Sequence, residues 1–350
     1  MSATRKCVAS LLAVASMLTA VACGGSSGGG SEEAGKTTAS SNQASCNDLK
    51  KKPTGATIAY MPPGLEFPYY IGIGSGVMAE AKKYNYKVST SSPVSGSDYA
   101  GQASRMRDVI NRGVDGIIFH THNNSATAPL IKEAVSQGIA VVIVNQDLTK
   151  FPAPVHAIVG YRERKTDHKM GNYALTLMHG QARIGLIAGL PGYDSTERIG
   201  GFKDAIKGHG GMKVVSELVG NWDVPGGNKA ARDMLQAHPD INLIFAANDF
   251  MAEGAYQAAQ SLHKTNLSIL GSDGDTNAFE LINKGGSYKA TMNTVPVVQG
   301  MVAMRAMHSC LSHSFKGFFI ETPGTLVTKA NVMSVLKNYA LLWPKPKNPY

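Results

Sequence analysis

An apolar stretch that ends in a polar pair and continues as a helical pattern is the feature that most restricts the fold of this chain. The stretch begins at Leu243, reaches Asn248-Asp249 and continues as FMAEGAYQAAQSL. A short apolar run followed by helical spacing indicates a βα unit. Asn248 and Asp249 are then at the carboxyl end of a strand, where open α/β sheets bind ligands. For Asp249, a role as N-cap alone and a role as N-cap and ligand contact are both open.

The same alternation of apolar runs and helical patterns extends over most of the chain. The predicted strands are 57–60, 87–90, 115–119, 139–144, 183–188, 213–219, 241–247, 267–270, 288–292 and 325–328. Continuous apolar strands between helices are typical of parallel sheets covered on both faces. The pattern restarts at residue 183, and 350 residues, 43% of them hydrophobic, are enough for two cores. The predicted fold class is therefore α/β, with two doubly wound parallel-sheet lobes.

The N-terminus has the features of an export signal. Arg5 and Lys6 precede a short apolar run that ends in LTAVAC, where the small residues before Cys23 resemble a bacterial lipobox. We predict a lipoprotein signal peptide over 1–22, lipidation of Cys23 and a Gly/Ser-rich tether over 23–53. The protein would then be exported and lipid-anchored at the extracytoplasmic face of the cell membrane. Ordinary secretion with cleavage near Ala22 is the alternative.

Charge and cysteine content exclude some function classes. The net charge of +9 falls to +7 without Arg5 and Lys6, and the remaining basic residues are scattered, so no nucleic-acid partner is expected. Cys46 and Cys310 remain after the signal peptide and Cys23, and sequence leaves open whether they pair. They lack the spacing of a zinc site.

Polar and aromatic residues follow several predicted strands and should meet at one edge of each sheet. A site of this kind is mostly apolar, with a few polar groups in fixed positions. His120 and His122 alternate, so at most one is expected to face the cleft, and no third ligand is evident, so no metal and no cofactor are predicted. The convergent segments are 66–70, 120–124, 145–146, 193–198, 222–223, 248–249 and Asp273.

Five segments carry a resemblance to a known family. They are TIAYMPPGLEFPYYIGIGSGVMAEAKKYNYKV, RMRDVINRGVDGIIF, STERIGGFKDAI, FAANDFMAEGA and ILGSDGD. In this order they resemble the type I periplasmic binding proteins of the ribose and galactose class, the solute receptors of sugar ABC transporters. The resemblance spans roughly residues 57–328.

The resemblance implies a site and a domain organisation. It implies lobes 54–160 plus 294–323 and 161–293 plus 324–350, joined by three crossing segments near Gly160, near Asn293-Thr294 and near 322–324. It also implies a monomer that binds a small sugar or polyol and delivers it to permease subunits. Together with the residues at the strand ends, it predicts the ligand contacts Glu66, Tyr69, Tyr70, His120, Asn145, Gln146, Arg198, Trp222, Asn248, Asp273 and Thr294.

Three places depart from the pattern of the family: Asn145-Gln146, Thr294, and His120 with His122. Asn145-Gln146 replaces the common Asp-Arg pair, so a charge-assisted grip on a sugar ring is replaced by neutral amides. Thr294 replaces a common Gln. These departures favour a linear polyol, or a sugar held in another pose.

Three other function classes were considered. A sensor for a chemoreceptor or kinase with the same fold is the main alternative, and residues alone do not separate it from a transport receptor. An enzyme is not predicted, because no nucleophile elbow, phosphate loop or carboxylate pair is present. A transcriptional repressor would need a DNA-binding headpiece, and an export signal stands in its place.

Overall fold

Two parallel-dominated sheets with helices on both faces form the protein in the computed structural model, which describes residues 42–148 and 151–337. Within that range the first sheet has six strands in the order β2-β1-β3-β4-β5-β11. All its pairings are parallel. Its strands are β1 (Thr57–Met61), β2 (Lys87–Thr90), β3 (Gly116–Phe119), β4 (Ala140–Val144), β5 (Ala157–Gly160) and β11 (Phe319–Glu321).

The second sheet repeats this order with one antiparallel edge. Its order over the same described residues is β7-β6-β8-β9-β10-β12, and only the β10–β12 pairing there is antiparallel. The two sheets confirm the predicted α/β class with two doubly wound lobes. The strands are β6 (Ala182–Ala188), β7 (Met212–Val219), β8 (Leu243–Ala246), β9 (Ser268–Leu270), β10 (Tyr288–Asn293) and β12 (Thr325–Thr328).

Ten α-helices in the described ranges connect and cover these strands. Several begin at side-chain caps in the loops that follow the strands: Asp98, Asn123, Asp223, Asn248 and Asp275 each accept a backbone N–H two or three residues ahead. The helices are α1 (Pro68–Ala81), α2 (Tyr99–Asn111), α3 (Asn124–Ser136), α4 (Glu163–Leu177), α5 (Tyr193–Ile206), α6 (Val224–Ala237), α7 (Asp249–Ser261), α8 (Thr276–Lys284), α9 (Pro296–Leu311) and α10 (Val332–Lys337).

The central strands are buried on both faces, which explains their uninterrupted apolar sequence. Every residue of β3, β4, β5 and β8 is buried. Helix pairs close the faces by direct backbone approach: a Cβ on Gly76 would lie 2.0 Å from the carbonyl oxygen of Val297, between α1 and α9. The chain runs between the two sheets after β5, between β10 and α9, and between β11 and β12.

Four elements were not predicted from the sequence: β5, β11, α4 and the short terminal helix α10. The strands β5 and β11 have only four and three residues, and β11 is held by its parallel pairing with β5. The helix α4 begins ERKTDHK without a side-chain cap, so little in its sequence marks its start. Tertiary contacts with α5 stabilise it, where Gly201 lies against the backbone of Arg164.

The last part of the segment predicted as a tether over 23–53 is folded. Residues 42–53 pack on the first lobe: Ala44 N–H donates to Val155 O at 3.0 Å, and Cys46 forms a disulfide with Cys310. Lys52 pairs with Asp115 at 2.7 Å. The predicted signal peptide, the lipidation site Cys23 and the first part of the tether lie outside the described residues.

Candidate functional site

A small cavity lies where the carboxyl ends of the two sheets face each other. Its volume is about 30 Å³. The lobes are in contact around it, since Tyr193 of the second lobe donates to Asp147 of the first at 2.7 Å. The structure is therefore a nearly closed form. The lining residues are Phe67, Tyr69, Tyr70, His122, Asn145, Asp194, Arg198, Trp222, Asn248, Phe250 and Asp273.

Aromatic rings form much of the wall. Phe67 and Tyr69 both meet Tyr70 edge-on, with ring centroids 6.2 and 5.6 Å apart. The ring of His122 meets Phe67 and Tyr70 edge-on and is nearly parallel to that of Trp222, with the centroids of the last two 6.1 Å apart. Such faces suit the C–H groups of a carbohydrate or polyol.

The position of Trp222 depends on an unusual turn. Asn221 and Trp222 have φ values of 58° and 69°, a conformation that L-residues seldom adopt. A Cβ on Gly189 would lie 1.9 Å from the indole, so only glycine leaves room for the ring there. Backbone strain of this kind is typical of functional sites.

The amides that follow β4 bond to the protein itself. Asn145 Oδ1 accepts the hydroxyl of Tyr69 at 2.9 Å, and its Nδ2 donates to the hydroxyl of Tyr70 at 3.4 Å. Gln146 is fully buried outside the cavity lining, and its Nε2 donates to Thr121 O and Asn124 Oδ1. These side chains hold the aromatic wall and the loop after β3 in place.

Two other predicted contacts lie outside the cavity lining. Glu66 is exposed at the surface, where its carboxylate accepts the backbone N–H of Gly96. Thr294 is fully buried behind Tyr69, and their hydroxyl oxygens are 2.9 Å apart.

Asp249 is neither a helix cap alone nor a cap that also contacts a ligand, which were the two roles left open by the sequence. Asn248 is the N-cap of α7: its Oδ1 accepts Met251 N–H at 2.9 Å, and its Nδ2 donates to Trp222 O at 3.0 Å. Asp249 is the first helical residue, buried away from the cavity, and its carboxylate accepts bonds from the hydroxyls of Tyr288 and Thr291. Asp249 therefore joins α7 to β10 rather than capping a helix or touching a ligand.

Arg198 and Asp273 form a buried ion pair on one side of the cavity. Arg198 Nη1 donates to Asp273 Oδ1 at 2.7 Å and to Ala247 O at 2.9 Å. Burial raises the pKa of Asp273 to about 6, although Arg198 opposes the rise. Because the guanidinium already has this counter-charge, the pair adds little net charge to the site.

Four polar atoms of lining residues have no hydrogen-bond partner among the described residues. They are Nε of Arg198, Nε1 of Trp222, Nε2 of His122 and Oδ1 of Asp194. Buried polar groups are normally satisfied, and unsatisfied ones concentrated at a cavity indicate where a ligand bonds.

Both histidines after β3 approach one carboxylate, although only one of them lines the cavity. Asp194 Oδ2 is 3.2 Å from His120 Nε2 and 3.3 Å from His122 Nδ1. His122 lines the cavity, whereas His120 lies behind it against Tyr70, with ring centroids 5.0 Å apart. Asp194 is the third member of this cluster. It was not identified from the sequence, because it lies 72 residues from His122.

Seven of the predicted contacts line the cavity, and four lining residues were not among the predicted contacts. The first group is Tyr69, Tyr70, Asn145, Arg198, Trp222, Asn248 and Asp273, and the second is Phe67, His122, Asp194 and Phe250. Phe67, His122 and Asp194 belong to segments that the sequence analysis expected to converge. Phe250 directly follows the polar pair Asn248-Asp249, which was the available signal for it.

Comparison with known families identifies the fold. Residues 58–314 match the family model of the periplasmic binding protein domain. The chain belongs to this family. Among curated relatives, this binding protein is 28% identical to the D-ribose/D-allose-binding protein of Pseudomonas aeruginosa over 290 residues, 79% of this chain and 90% of the relative. It is also 28% identical to the ribose import binding protein of Bacillus subtilis, over 73% of this chain and 81% of the relative.

Solved structures show the same fold. An ABC transporter solute-binding protein from Mycobacterium smegmatis with bound glycerol superposes with a TM-score of 0.76 at 24% identity, covering 80% of this chain and 96% of that one. One from Bacillus halodurans with bound myo-inositol also gives 0.76, at 21% identity over 82% and 99% of the two chains. Within the described residues, this binding protein has no helix with the length and apolar character to cross a membrane.

Proposed function

We propose that this binding protein is the solute receptor of an ABC transporter, which captures one small, neutral, polyhydroxylated ligand between its lobes and delivers it to the permease. The observation that carries the proposal is the set of four unpartnered polar atoms around an aromatic cavity, on Arg198, Trp222, His122 and Asp194. Arg198 Nε and Trp222 Nε1 are donors, Asp194 Oδ1 is an acceptor, and His122 Nε2 is an acceptor when its Nδ1 donates to Asp194 Oδ2. Hydroxyl groups match such a mixture, because each donates and accepts.

The charges of the site support a neutral ligand. An anion would need a free cation, and Arg198 is 2.7 Å from Asp273. Relatives of similar architecture include a ribose import protein, and structural neighbours include one with bound glycerol and one with bound myo-inositol. Asn145 and Gln146 form hydrogen bonds with other protein groups. The ligand is therefore not bound by a charged Asp-Arg pair at these positions. We therefore favour a sugar alcohol over an aldose held in the common pose.

We further propose that the two lobes close on the ligand by a hinge motion. One lobe consists of residues 54–160 and 294–323, and the other consists of residues 161–293 and 324–350. The chain crosses between the sheets after Gly160, after Asn293 and after Glu321. Rotation about three short segments opens a cleft without breaking either core. Lipidation at Cys23 would keep the receptor at the membrane surface beside its permease.

A thermal-shift screen tests the ligand class. The purified protein is heated with tetritols, pentitols, hexitols, inositols, pentoses and hexoses. A ligand at about 100 times its Kd stabilises by about 2.7 kcal/mol, which is seen as a rise in Tm. Calorimetry of each hit then gives the stoichiometry, and NMR of the recovered ligand shows whether it is unchanged.

The outcomes separate the alternatives. A polyol hit without an aldose hit supports the neutral-amide interpretation of the site. An aldose hit alone retains the receptor function and overturns the preference for polyols. No shift across the panel contradicts the carbohydrate proposal, and chemical conversion of a hit would show an enzyme.

A further inference from the structure

The cluster of His120, His122 and Asp194 is more compact than ligand capture alone requires. One oxygen, Asp194 Oδ2, is 3.2 Å from His120 Nε2 and 3.3 Å from His122 Nδ1. All three side chains are buried, with 0%, 6% and 5% of their surfaces exposed. The histidines come from the first lobe and the aspartate from the start of α5 in the second.

The hydrogen bonds of His120 require a cation beside it. Its Nδ1 is 2.9 Å from the carbonyl oxygen of Val144. A carbonyl only accepts, so Nδ1 carries a proton, and in a neutral imidazole Nε2 then presents a lone pair. This nitrogen is 3.2 Å from a carboxylate oxygen, and two acceptors at this distance repel each other unless they share a proton or a metal ion.

The direction of the contact favours a metal over a shared proton. His120 Nε2 lies 3.2 Å from Asp194 Oδ2 and still has no hydrogen-bond partner among the described residues, so the contact lacks the geometry of a hydrogen bond. In a metal site the donor atoms point at the ion rather than at one another. Metal–nitrogen and metal–oxygen bonds of about 2.0–2.2 Å with tetrahedral angles place neighbouring donors about 3.3–3.6 Å apart. The two nitrogen–oxygen distances in the cluster are close to this range, and the three donor atoms lie within 4.8 Å of one another.

The surroundings also match those of a metal site. The bond from His120 Nδ1–H to a backbone carbonyl is the outer contact that fixes the tautomer of a metal-bound histidine. Asp194 has no arginine or lysine partner in the described part of the chain, since Arg198 pairs with Asp273. Two imidazoles and one carboxylate select zinc, cobalt, nickel or iron(II) over calcium or magnesium.

We propose that His120, His122 and Asp194 together bind one divalent transition-metal ion, with its remaining coordination position open toward the cavity. His122 and Asp194 both line the cavity, so an oxygen of the captured ligand, or water, completes the coordination. The ion holds residues of both lobes and therefore stabilises the closed form over the open form. Metal binding itself is independent of the proposed sugar function, whereas the contact with a ligand hydroxyl rests on it.

The test uses full-length protein freed of metals with a chelator. Cobalt(II) is titrated and followed by visible absorption, zinc(II) is added in competition, and elemental analysis gives the stoichiometry. We expect one equivalent per chain. We expect Asp194→Asn and His122→Gln each to weaken binding at least about 100-fold. The control is His209→Gln, at an exposed histidine on the surface of the second lobe, which should bind as the unmodified protein does.

The absence of stoichiometric metal on the unmodified protein would overturn the proposal, and the cluster would then be an ion pair with a protonated histidine. Equal binding by Asp194→Asn and by the unmodified protein, with near-equal Tm values, would also overturn it. The polyol panel repeated with chelator and with metal separates this inference from the proposed function. Polyol binding without any metal binding leaves the receptor function intact. Metal binding without any carbohydrate binding supports the site and contradicts the sugar ligand.

Discussion

At the scale of single residues, the polar side chains at the cavity divide into those that bond to the protein and those that do not. The Tyr69 hydroxyl donates to Asn145 and accepts from Gln299 at 2.7 Å. Trp222 instead has an unpartnered Nε1, while its ring packs on Gly189 and under Arg198. Removing a hydroxyl or an N–H at these two positions should therefore have different consequences.

Replacing Trp222 with phenylalanine should reduce affinity with little loss of stability. The variant keeps an aromatic ring and removes a donor that has no protein partner. Loss of one hydrogen bond of about 1–1.5 kcal/mol raises Kd roughly tenfold. Calorimetry with the hit from the panel measures the affinity, and urea unfolding measures the stability. Tyr69→Phe is the contrasting variant and should lower the free energy of unfolding by about 1–3 kcal/mol. Equal stability losses in both variants would contradict the division.

A buried carboxylate on α4 should make stability depend on pH. Asp167 is fully buried, and burial raises its pKa to about 7, although Arg198 opposes the rise. A folded-state pKa above the unfolded value means that the folded protein binds the proton more tightly. The contribution of Asp167 to stability is therefore fully present below about pH 4 and is lost as the pH rises to about 7.

Asp167→Asn should remove this loss because the amide stays neutral. We expect the variant to be more stable than the unmodified protein at pH 8, by on the order of 4 kcal/mol, and nearly equal to it at pH 4. Urea unfolding at the two pH values gives the comparison. Asp108→Asn, at an exposed position of α2, is the control and should change neither value. The same decline with pH in the Asp167→Asn protein would show that another group causes it.

The sequence located the site loops better than it located the contacting atoms. Parallel strands direct their carboxyl ends to one edge, so convergence of the loops follows from the strand pattern alone. The strand pattern does not show which amide is free to bind a ligand, because Asn145 is hydrogen-bonded to tyrosines about 75 residues away. Asp194 illustrates the same limit, since only the approach of the second lobe makes it a neighbour of His120.

At the scale of helices and strands, glycine determines how closely the covering helices pack. Gly300 on α9 faces α1, where a Cβ would lie 1.9 Å from Ile73 O and 2.9 Å from Val77 N. Both obstacles are backbone atoms, so the crowding cannot be relieved by a change of rotamer. The strands and helices with long apolar patterns were predicted from sequence, whereas β5, β11 and α4 depend on such tertiary contacts.

Gly300→Ala should therefore separate α1 from α9 and destabilise the protein by about 3 kcal/mol or more. The change is measured as the shift of the urea midpoint. Gly210→Ala is the matched control, because a Cβ there has no atom within 4 Å and the residue is not in a left-handed conformation. That variant should stay within about 1 kcal/mol of the unmodified protein. A small effect at Gly300 would indicate that the two helices can shift apart at low cost.

At the scale of the whole molecule, one covalent link joins distant parts of the sequence. Cys46, in the segment before β1, is bonded to Cys310 near the end of α9, 264 residues later. The sequence left this pairing open, because the distance between two cysteines depends on how the first lobe assembles from both ends of the chain. Both cysteines are buried, and the disulfide lies among the apolar side chains of the core.

Removing the disulfide should destabilise the whole protein without altering the cavity. Cross-linking residues so far apart restricts the unfolded chain strongly, and loss of such a link typically costs about 2–5 kcal/mol. We expect the Cys46→Ser, Cys310→Ser double variant to unfold at lower urea and to bind the panel hit with unchanged Kd, since neither residue lines the cavity. Reduction of the unmodified protein separates the effect of the link from that of burying serine. Coincident unfolding curves for the oxidised and reduced protein would mean that the native contacts of residues 42–53 alone hold this segment against α9.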